Sequence, residues 1–313
     1  MSANAGPTLA EVQAYFRLPG LGLVEKDLHV VKVIATLAAL DASPFTLVFA
    51  GGTALARAHK IVRRMSEDVD FKIVPKPSAP VGRSALHRMR SALREQVTAA
   101  LLAAGFLFDP KDPAQVRSRN QSSYTIYQLP YEPSAEAGGE LRPTIQVELT
   151  YAPLRRLPVT LPVSSFVSEA AGRKPEVSGI PCVALTETAA EKLVALTRRI
   201  AMELAGASRD PDPSLVRHIY DLYVMRDLVD LPAVAGLARD IAVDDASEFG
   251  NQYPDYETDI AGETRKALDA LRTDPLYRTR YEDFVAAMVY GERPEFDEAL
   301  ATVTNLAQSA LRG

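Results

Sequence analysis

The sequence predicts an α+β protein, with an N-terminal domain built on a mixed or antiparallel sheet and an all-helical C-terminal domain. Three observations predict this class. Short apolar or alternating segments between residues 45 and 151 are typical of strands. After about Pro181, apolar residues recur at helical spacing instead. A chain of 313 residues is long enough for two domains, which we expect to cover residues 1–165 and 166–313.

The N-terminal elements are predicted from apolar periodicity and from the glycines and prolines that interrupt it. They are helix 24–40, strand 45–50, helix 53–60, strand 68–74, helix 83–104, and strands 124–129 and 144–151. A loop rich in proline, glycine and glutamate, Tyr131–Pro143, separates the last two strands. In the last strand Glu148 lies on the polar face, because Val147 and Leu149 face the other way.

The C-terminal elements are predicted from helical stripes. The first stripe consists of Leu193, Leu196, Ile200 and Leu204. Thr188 and Glu191 match a capping box at the start of that helix. A second helix is predicted to begin near Pro213, and the chain to Leu311 continues as helices joined by proline-marked turns.

The composition indicates a globular protein, since 47% of the residues are hydrophobic and 24% are charged. One cysteine, Cys182, allows no internal disulfide and favours a reducing compartment. No secretion signal and no apolar stretch of about 18 residues is apparent, so we expect a cytoplasmic protein with no membrane partner. The net charge of −5 gives no global sign of nucleic-acid binding, although arginines cluster locally.

Two neighbouring motifs point to phosphate and metal chemistry. Gly51 and Gly52 form a turn that leads into a helix, where backbone N–H groups favour phosphate. Asp68 and Asp70 then share one face of a strand, which places like charges side by side unless a cation lies between them. Mg²⁺ is the expected cation, since it takes one or two carboxylates together with substrate phosphates. On an edge strand, the same aspartates would be ordinary surface residues.

Glu148 is the third candidate carboxylate. Two-metal phosphoryl chemistry uses carboxylates on rigid elements, with one ion activating the attacking hydroxyl and the other stabilising the leaving pyrophosphate. Glu148 is expected to complete a metal set with Asp68 and Asp70, and to serve as general base toward the acceptor hydroxyl. Alternating polar residues on a strand are, however, ordinary.

Several further candidates have an ordinary structural interpretation beside the functional one. Thr53 is expected to offer a hydroxyl and an N–H to phosphate, or to cap its helix. Ser66 lies beside the aspartates, where its hydroxyl is expected either to contact the substrate or to hydrogen-bond a backbone group. Lys192 borders its helix's apolar stripe, with Arg199 two turns later on the same face. Arg217 and Asp221 are spaced to pair across one helical turn. The four histidines show no zinc-ligand spacing.

Taken together, six motifs in order resemble the AbiEii/AbiGii family of nucleotidyltransferase toxins. They are Val24-Glu25-Lys26-Asp27, Gly51-Gly52-Thr53-Ala54-Leu55, Arg64-x-Ser66-x-Asp68-x-Asp70-Phe71, Gln146-Val147-Glu148-Leu149, Glu191-Lys192-Leu193 with Arg198-Arg199, and Arg217-His218-Ile219-Tyr220-Asp221-Leu222-Tyr223. The resemblance covers residues 24 to 223. His218 departs from the pattern, because relatives often carry an acidic residue there.

The resemblance implies a DNA-polymerase-β-like nucleotidyltransferase fold followed by a helical lobe, with the site between the lobes. It implies that Asp68 and Asp70 bind Mg²⁺, that Lys192 contacts nucleotide phosphates, and that Asp221 belongs to the active site. The expected catalytic set is Asp68, Asp70, Glu148, Lys192 and Asp221. The expected nucleotide-binding set is Gly51, Gly52, Thr53, Arg64, Ser66, Lys192 and Arg199.

Family members resemble the toxin halves of bacterial toxin–antitoxin pairs. The resemblance implies transfer of nucleotides from NTP to the 3′ end of tRNA, which blocks aminoacylation and translation, and a cognate antitoxin of the winged-helix DNA-binding type. The helix carrying Arg83, Arg88, Arg90 and Arg94, together with Arg198 and Arg199, is then expected to hold the RNA backbone. The alternatives are a nucleotidyltransferase acting on small molecules or proteins, and a regulatory protein that binds nucleotide without transferring it.

Overall fold

The computed structural model describes residues 6–79, 82–134, 141–207 and 212–312. The chain forms two compact units, Met1–Val183 and Ala184–Gly313. The predicted boundary after residue 165 differs from this division, because a final strand at Val177–Cys182 still belongs to the sheet of the first unit.

The first unit alternates helices with the strands of one sheet. Its elements are α1 (Leu9–Phe16), α2 (Leu21–Ala38), β1 (Phe45–Ala50), α3 (Gly51–Arg57), β2 (Asp68–Pro75), α4 (Arg83–Ala103), β3 (Val116–Arg119), β4 (Tyr124–Pro130), β5 (Thr144–Tyr151), β6 (Val159–Val163), α5 (Phe166–Ala170) and β7 (Val177–Cys182). The sequence missed α1, α5, β3, β6 and β7, which are at most eight residues long and show little periodicity. The predicted 131–143 loop is described only in part, since residues 135–140 lie outside the described residues.

The sheet is mixed, which is one of the two arrangements, mixed or antiparallel, that the sequence predicted. Its seven strands follow the order β3-β4-β5-β2-β1-β7-β6. β2 pairs with β5 in parallel, and β1 with β7 in parallel, while the remaining neighbours are antiparallel. β2 and β5 therefore lie at the centre, and β3 forms one edge.

The two faces of the sheet differ sharply. One face carries Val69, Phe71 and Ile73 of β2 beside Val147 and Leu149 of β5, and all five are buried. α2 and α4 cover this face with apolar residues of the same core, among them Val30, Ile34, Leu93, Val97 and Leu101. Because side chains alternate along a strand, the aspartates of β2 and the glutamate of β5 lie on the other face.

Cys182 lies in β7, directly opposite Phe49 of β1. Its thiol is fully buried within the core. Burial raises the pKa of this thiol to about 12, because the thiolate would lose its hydration.

All the elements of the second unit, within its described residues, are helices. It contains α6 (Leu185–Leu204), a 3₁₀ turn (Pro213–Val216), α7 (Arg217–Met225), α8 (Leu231–Phe249), α9 (Pro254–Thr258), α10 (Ile260–Thr273), α11 (Pro275–Met288) and α12 (Phe296–Leu311). α6 packs against α7, α8 and α10, and α12 packs against α7 and α8. The predicted capping box was wrong: α6 begins at Leu185, so Thr188 lies inside the helix. No helix of the described chain has the length and apolarity needed to cross a membrane.

Asp27 on α2 is a buried carboxylate that ties α2 to α5. Its Oδ2 atom accepts a 2.7 Å hydrogen bond from the Phe166 N–H, and its Oδ1 atom lies 3.5 Å from the Arg57 guanidinium. Burial raises the pKa of Asp27 to about 6, although Arg57 acts in the opposite direction. The side chain is therefore more easily protonated in the folded protein than in the unfolded chain.

Replacing Asp27 with asparagine tests whether burial raises the pKa of this carboxyl. Because the folded pKa lies above the ordinary value of 3.8, the stabilising contribution of Asp27 is complete below about pH 4 and is lost as pH rises through about 6. The stability of D27N relative to wild type is expected to rise by up to ~3 kcal/mol between pH 4 and 7. Urea unfolding at several pH values measures the free energy of unfolding of both proteins. A difference between D27N and wild type that stays constant with pH would contradict the raised pKa.

Candidate active site

The site begins with the register between β2 and β5. Asp70 lies directly opposite Glu148, and Asp68 lies opposite Gln146, two residues earlier on the same face. Residues opposite each other on neighbouring strands share a face and lie about 5 Å apart. All three carboxylates are half-buried. The structure therefore brings Asp68, Asp70 and Glu148 onto one patch of the sheet, as the sequence predicted.

The glycine turn is fitted against Asp70. Gly51 adopts a φ of +73°, a backbone conformation that residues other than glycine rarely adopt. A Cβ atom at this position would lie 1.8 Å from Oδ2 of Asp70. The turn can therefore approach the carboxylate only because Gly51 has no side chain.

Gly52 meets the segment that precedes the aspartates. A Cβ atom at Gly52 would lie 2.4 Å from a guanidinium nitrogen of Arg64 and 2.9 Å from the Ser66 hydroxyl. Arg64 is buried and donates a 2.9 Å hydrogen bond to the Met65 carbonyl. The structure thus places Arg64, Ser66 and the two glycines together, and it holds the Arg64 guanidinium against the turn.

The Thr53 hydroxyl makes a contact that the sequence did not suggest. α3 begins at Gly51 with Ala50 as its N-cap, so Thr53 does not cap the helix. Its buried hydroxyl donates to the backbone carbonyl of Asp68. Since that hydrogen is already donated, the hydroxyl ties α3 to the first residue of β2 and is not a donor to phosphate. The Thr53 N–H is unaffected by this contact.

Glu148 is oriented by Tyr124, which the sequence analysis missed, and by Gln146 of the fourth motif. Its Oε2 accepts a 2.9 Å hydrogen bond from the Tyr124 hydroxyl, and its Oε1 accepts a 2.5 Å bond from the Gln146 amide. Gln128 donates in turn to Gln146, at 2.5 Å. Burial and the negative charges of Glu148 and Asp70 raise the pKa of Tyr124 well above its ordinary value. Tyr124 therefore remains a hydrogen-bond donor to Glu148 at neutral pH.

Asp68 has a cationic partner, Arg142, which the sequence analysis also missed. An Arg142 guanidinium nitrogen lies 2.7 Å from Oδ1 of Asp68, and its Nε lies 3.4 Å from Glu67. Glu67 also pairs with Lys26, a fully buried lysine that donates a 2.7 Å bond to the Arg142 carbonyl. Lys26, which belongs to the first of the six motifs, thus supports Glu67 and Arg142 beside Asp68 rather than the Asp68 carboxylate itself.

The donor set fits a hard cation bound partly by substrate. Within the described residues, no group of three or more His, Cys, Asp or Glu side chains is placed so that it could hold a metal ion by itself. Mg²⁺ is often bound by only one or two carboxylates, with substrate phosphates and water supplying the remaining ligands. Asp70 and Glu148, opposite each other and half-buried, offer carboxylate oxygens of that kind.

In the second unit, Lys192 and Asp221 form a buried ion pair. Their Nζ and Oδ2 atoms lie 2.8 Å apart, and the Asp221 side chain is fully buried. Lys192 Nζ also lies 3.5 Å from Nδ1 of His218. Burial and the nearby charges of Lys192 and Arg217 lower the pKa of His218 well below its ordinary value. His218 is therefore neutral at pH 7 and accepts from Lys192.

Arg199 and Arg217 share one carboxylate. Each places a guanidinium nitrogen 3.1 Å from Oδ2 of Asp212. Arg217 therefore pairs with Asp212, while Asp221, the partner suggested by helical spacing, pairs with Lys192 on a different helix. Two guanidinium groups around one carboxylate leave this triad with a net positive charge.

Two residues around the carboxylates escaped sequence reasoning: Tyr124 and Arg142. Gln146 did not, because alternation on the predicted strand places it on the face of Glu148. Tyr124 required knowing that β4 pairs with β5, where it lies opposite Thr150. Arg142 lies within the predicted 131–143 loop, where periodicity gives no information.

Comparisons with known proteins show the family to which the chain belongs. A family model described as nucleotidyl transferase AbiEii toxin, type IV toxin–antitoxin system, matches residues 35–302. The chain belongs to this family. No curated protein matches it. Among solved structures, MenT4, a nucleotidyltransferase toxin from Mycobacterium tuberculosis H37Rv, is similar over 97% of this chain and 90% of its own, with 18% identity and a TM-score of 0.56.

Membership confirms the resemblance drawn from the six motifs. The expected fold, a DNA-polymerase-β-like nucleotidyltransferase domain with a mixed sheet followed by a helical lobe, is also confirmed. As a nucleotidyltransferase toxin of a type IV toxin–antitoxin system, this AbiEii protein has an NTP as substrate and a cognate antitoxin as counterpart.

Gly51→Ala is expected to displace the Asp70 carboxylate, because the new methyl group would overlap it and the positive φ would be strained. Binding of a fluorescent NTP analogue in the presence of Mg²⁺ should weaken at least about 10-fold, which corresponds to ~1.4 kcal/mol. Gly236→Ala is the matched control, since Gly236 lies within α8 and a Cβ atom there would lie 3.9 Å from the nearest atom, a guanidinium nitrogen of Arg239. Equal binding by both variants would contradict the assigned role of Gly51.

Asp221→Ala is expected to destabilise the protein by about 3–5 kcal/mol, because it leaves the buried Lys192 ammonium without this carboxylate. Adding Lys192→Met should recover much of that loss. Urea unfolding measures both effects. Asp227→Ala is the control, because its carboxylate is exposed and pairs with Arg226 at the surface. A loss no larger than that of the control would argue against the buried pair.

Proposed function

We propose that this protein transfers a nucleotidyl group from an NTP to the 3′-hydroxyl of tRNA, blocking aminoacylation and thus translation. The observation that carries the proposal is the pairing of Asp70 with Glu148 across β2 and β5, beside Asp68 and the glycine turn. The 3′-oxygen forms a bond to the α-phosphorus, the bond from that phosphorus to the pyrophosphate breaks, and the hydroxyl proton passes to Glu148. Tyr124 and Gln146 hold the Glu148 carboxylate in place for this transfer.

Asp68, Asp70 and Glu148 would hold Mg²⁺, in a two-ion site. When bound, Mg²⁺ neutralises the triphosphate and stabilises negative charge on the attacking and leaving oxygens. Gly51, Gly52 and Thr53 are proposed to face the phosphates with backbone N–H groups, and Arg64 and Ser66 to border them. Of the expected contacts, the Thr53 hydroxyl is omitted, since it donates to the Asp68 carbonyl.

Lys192 is proposed to contact the nucleotide phosphates. Asp221 holds the Lys192 ammonium at 2.8 Å, and neutral His218 accepts from it without adding negative charge. Asp221 is therefore proposed as the positioning residue for Lys192. Arg199 is proposed as a second phosphate contact, supported by the net positive charge of its triad with Arg217 and Asp212. We further propose that the antitoxin is a winged-helix DNA-binding protein and that the toxin acts on tRNA in the cytoplasm.

Label transfer tests the function directly. The protein, Mg²⁺ and total bacterial RNA are incubated with each of the four NTPs, labelled at the α-phosphate. A labelled tRNA-sized band is expected with at least one NTP, and its absence after periodate oxidation of the RNA would place the label on the 3′ end. Asp70→Asn should reduce the rate at least about 100-fold, whereas exposed Asp227→Asn should not. Label on protein or on a small molecule, and none on RNA, would overturn the tRNA proposal.

A further inference from the structure

The sheet register continues from the carboxylates to an edge strand that carries two arginines. Asp70 lies opposite Glu148, Glu148 opposite Ile126, and Ile126 opposite Arg117 of β3. Residues opposite each other share a face, so Arg117 lies on the carboxylate face. Arg119, two residues further along β3, shares that face and lies opposite Tyr124.

Both arginines are exposed, while Val116 and Ser118 between them are half-buried. Arg119 lies directly opposite Tyr124, whose hydroxyl donates to Glu148. Positive charge therefore lies on the strand next to the residue that orients Glu148. Two strand spacings separate Arg117 from Glu148, a distance of about 10 Å.

The hairpin that presents these arginines is anchored. Asn120, Gln121 and Ser122 in its turn all have positive φ values, between 49° and 62°, a conformation that residues other than glycine keep only where surrounding contacts hold them. Two side chains of α4 contact the Gln121 carbonyl: His87 Nδ1 lies 3.0 Å from it, and Arg90 Nε donates at 3.2 Å. β3 is thus held at the edge of the sheet with its arginines on one side.

The basic helix α4 is a poorer candidate for holding RNA than the sequence suggested. α4 packs on the apolar face, opposite the carboxylates, through Leu93, Val97 and Leu101. Arg90 is buried, stacks 4.6 Å from the Tyr151 ring and anchors the hairpin. Arg83 and Arg88 are exposed on this same helix.

We propose that Arg117 and Arg119 form a binding site for the phosphodiester groups that precede the 3′ end of the acceptor RNA. The inference rests on the proposed function, since it requires an RNA acceptor. A 3′-hydroxyl at Glu148 places the next phosphates within reach of an arginine about 10 Å away on the same face. Arginine suits this task because its planar fork binds phosphate oxygens bidentately.

Paired substitutions of equal charge test the site. R117A/R119A removes two positive charges from the carboxylate face, and R83A/R88A removes two from α4. Fluorescence anisotropy with tRNA, without NTP, is measured over a range of salt concentrations. R117A/R119A should weaken binding at least about 10-fold and reduce the slope of log affinity against log salt by about 1.4, the value for two single-strand phosphate contacts. R83A/R88A should stay within about 2-fold of wild type.

Two further measurements separate the possible failures. Binding of a fluorescent NTP analogue should be unchanged in R117A/R119A, which shows that the carboxylate site is intact. R117K/R119K should keep most of the salt slope, because lysine retains the charge. Equal effects of the two paired variants, or an unchanged KM for RNA in R117A/R119A while wild type labels RNA, would overturn this site alone. A wild-type protein that neither binds nor labels RNA would overturn the proposed function as well.

Discussion

The parallel pairing of β2 with β5 is the constraint on which the rest of the site depends. It sets two carboxylates, Asp70 and Glu148, opposite each other on a half-buried face, where mutual repulsion is costly. A shift of one residue in this register would send Glu148 into the apolar core and Val147 out of it. The buried residues Val69, Phe71, Val147 and Leu149 therefore fix the register, and hydrophobic packing on one face determines the chemistry on the other.

The neighbours of these carboxylates offset the charge without filling the patch. Arg142 pairs with Asp68, while Tyr124 and Gln146 donate to the two oxygens of Glu148. Gly51 admits Asp70 by offering no side chain. Because Tyr124 and Gln146 are neutral donors, they orient Glu148 without cancelling its negative charge. The arrangement is typical of a site that is completed by its substrate, in keeping with the family to which the chain belongs.

Sequence reasoning recovered the central strands and the residues on them, because alternation and the glycine turn are local signals. It predicted β1, β2 and β5 closely, and with them the faces of Asp68, Asp70 and Glu148. It missed β3, β6 and β7, where short or proline-containing strands depend on their partners for formation. It paired Arg217 with Asp221 by helical spacing, whereas packing between α6 and α7 joins Asp221 to Lys192. Contacts that bridge distant segments, such as Thr53 to the Asp68 carbonyl, have no signature in one sequence.

The position of Cys182 gives the fold a natural chemical reporter. This single cysteine of the chain is fully buried in β7, directly beside the strand that ends at the glycine turn. With its thiol pKa raised to about 12, it is protonated and shielded at neutral pH, so a thiol reagent can reach it only when this part of the sheet opens. The rate of alkylation therefore reports opening events next to the glycine turn, without any label or engineered residue. A ligand that holds β1 against β7 would therefore lower the rate of Cys182 alkylation, even where it leaves the average structure unchanged.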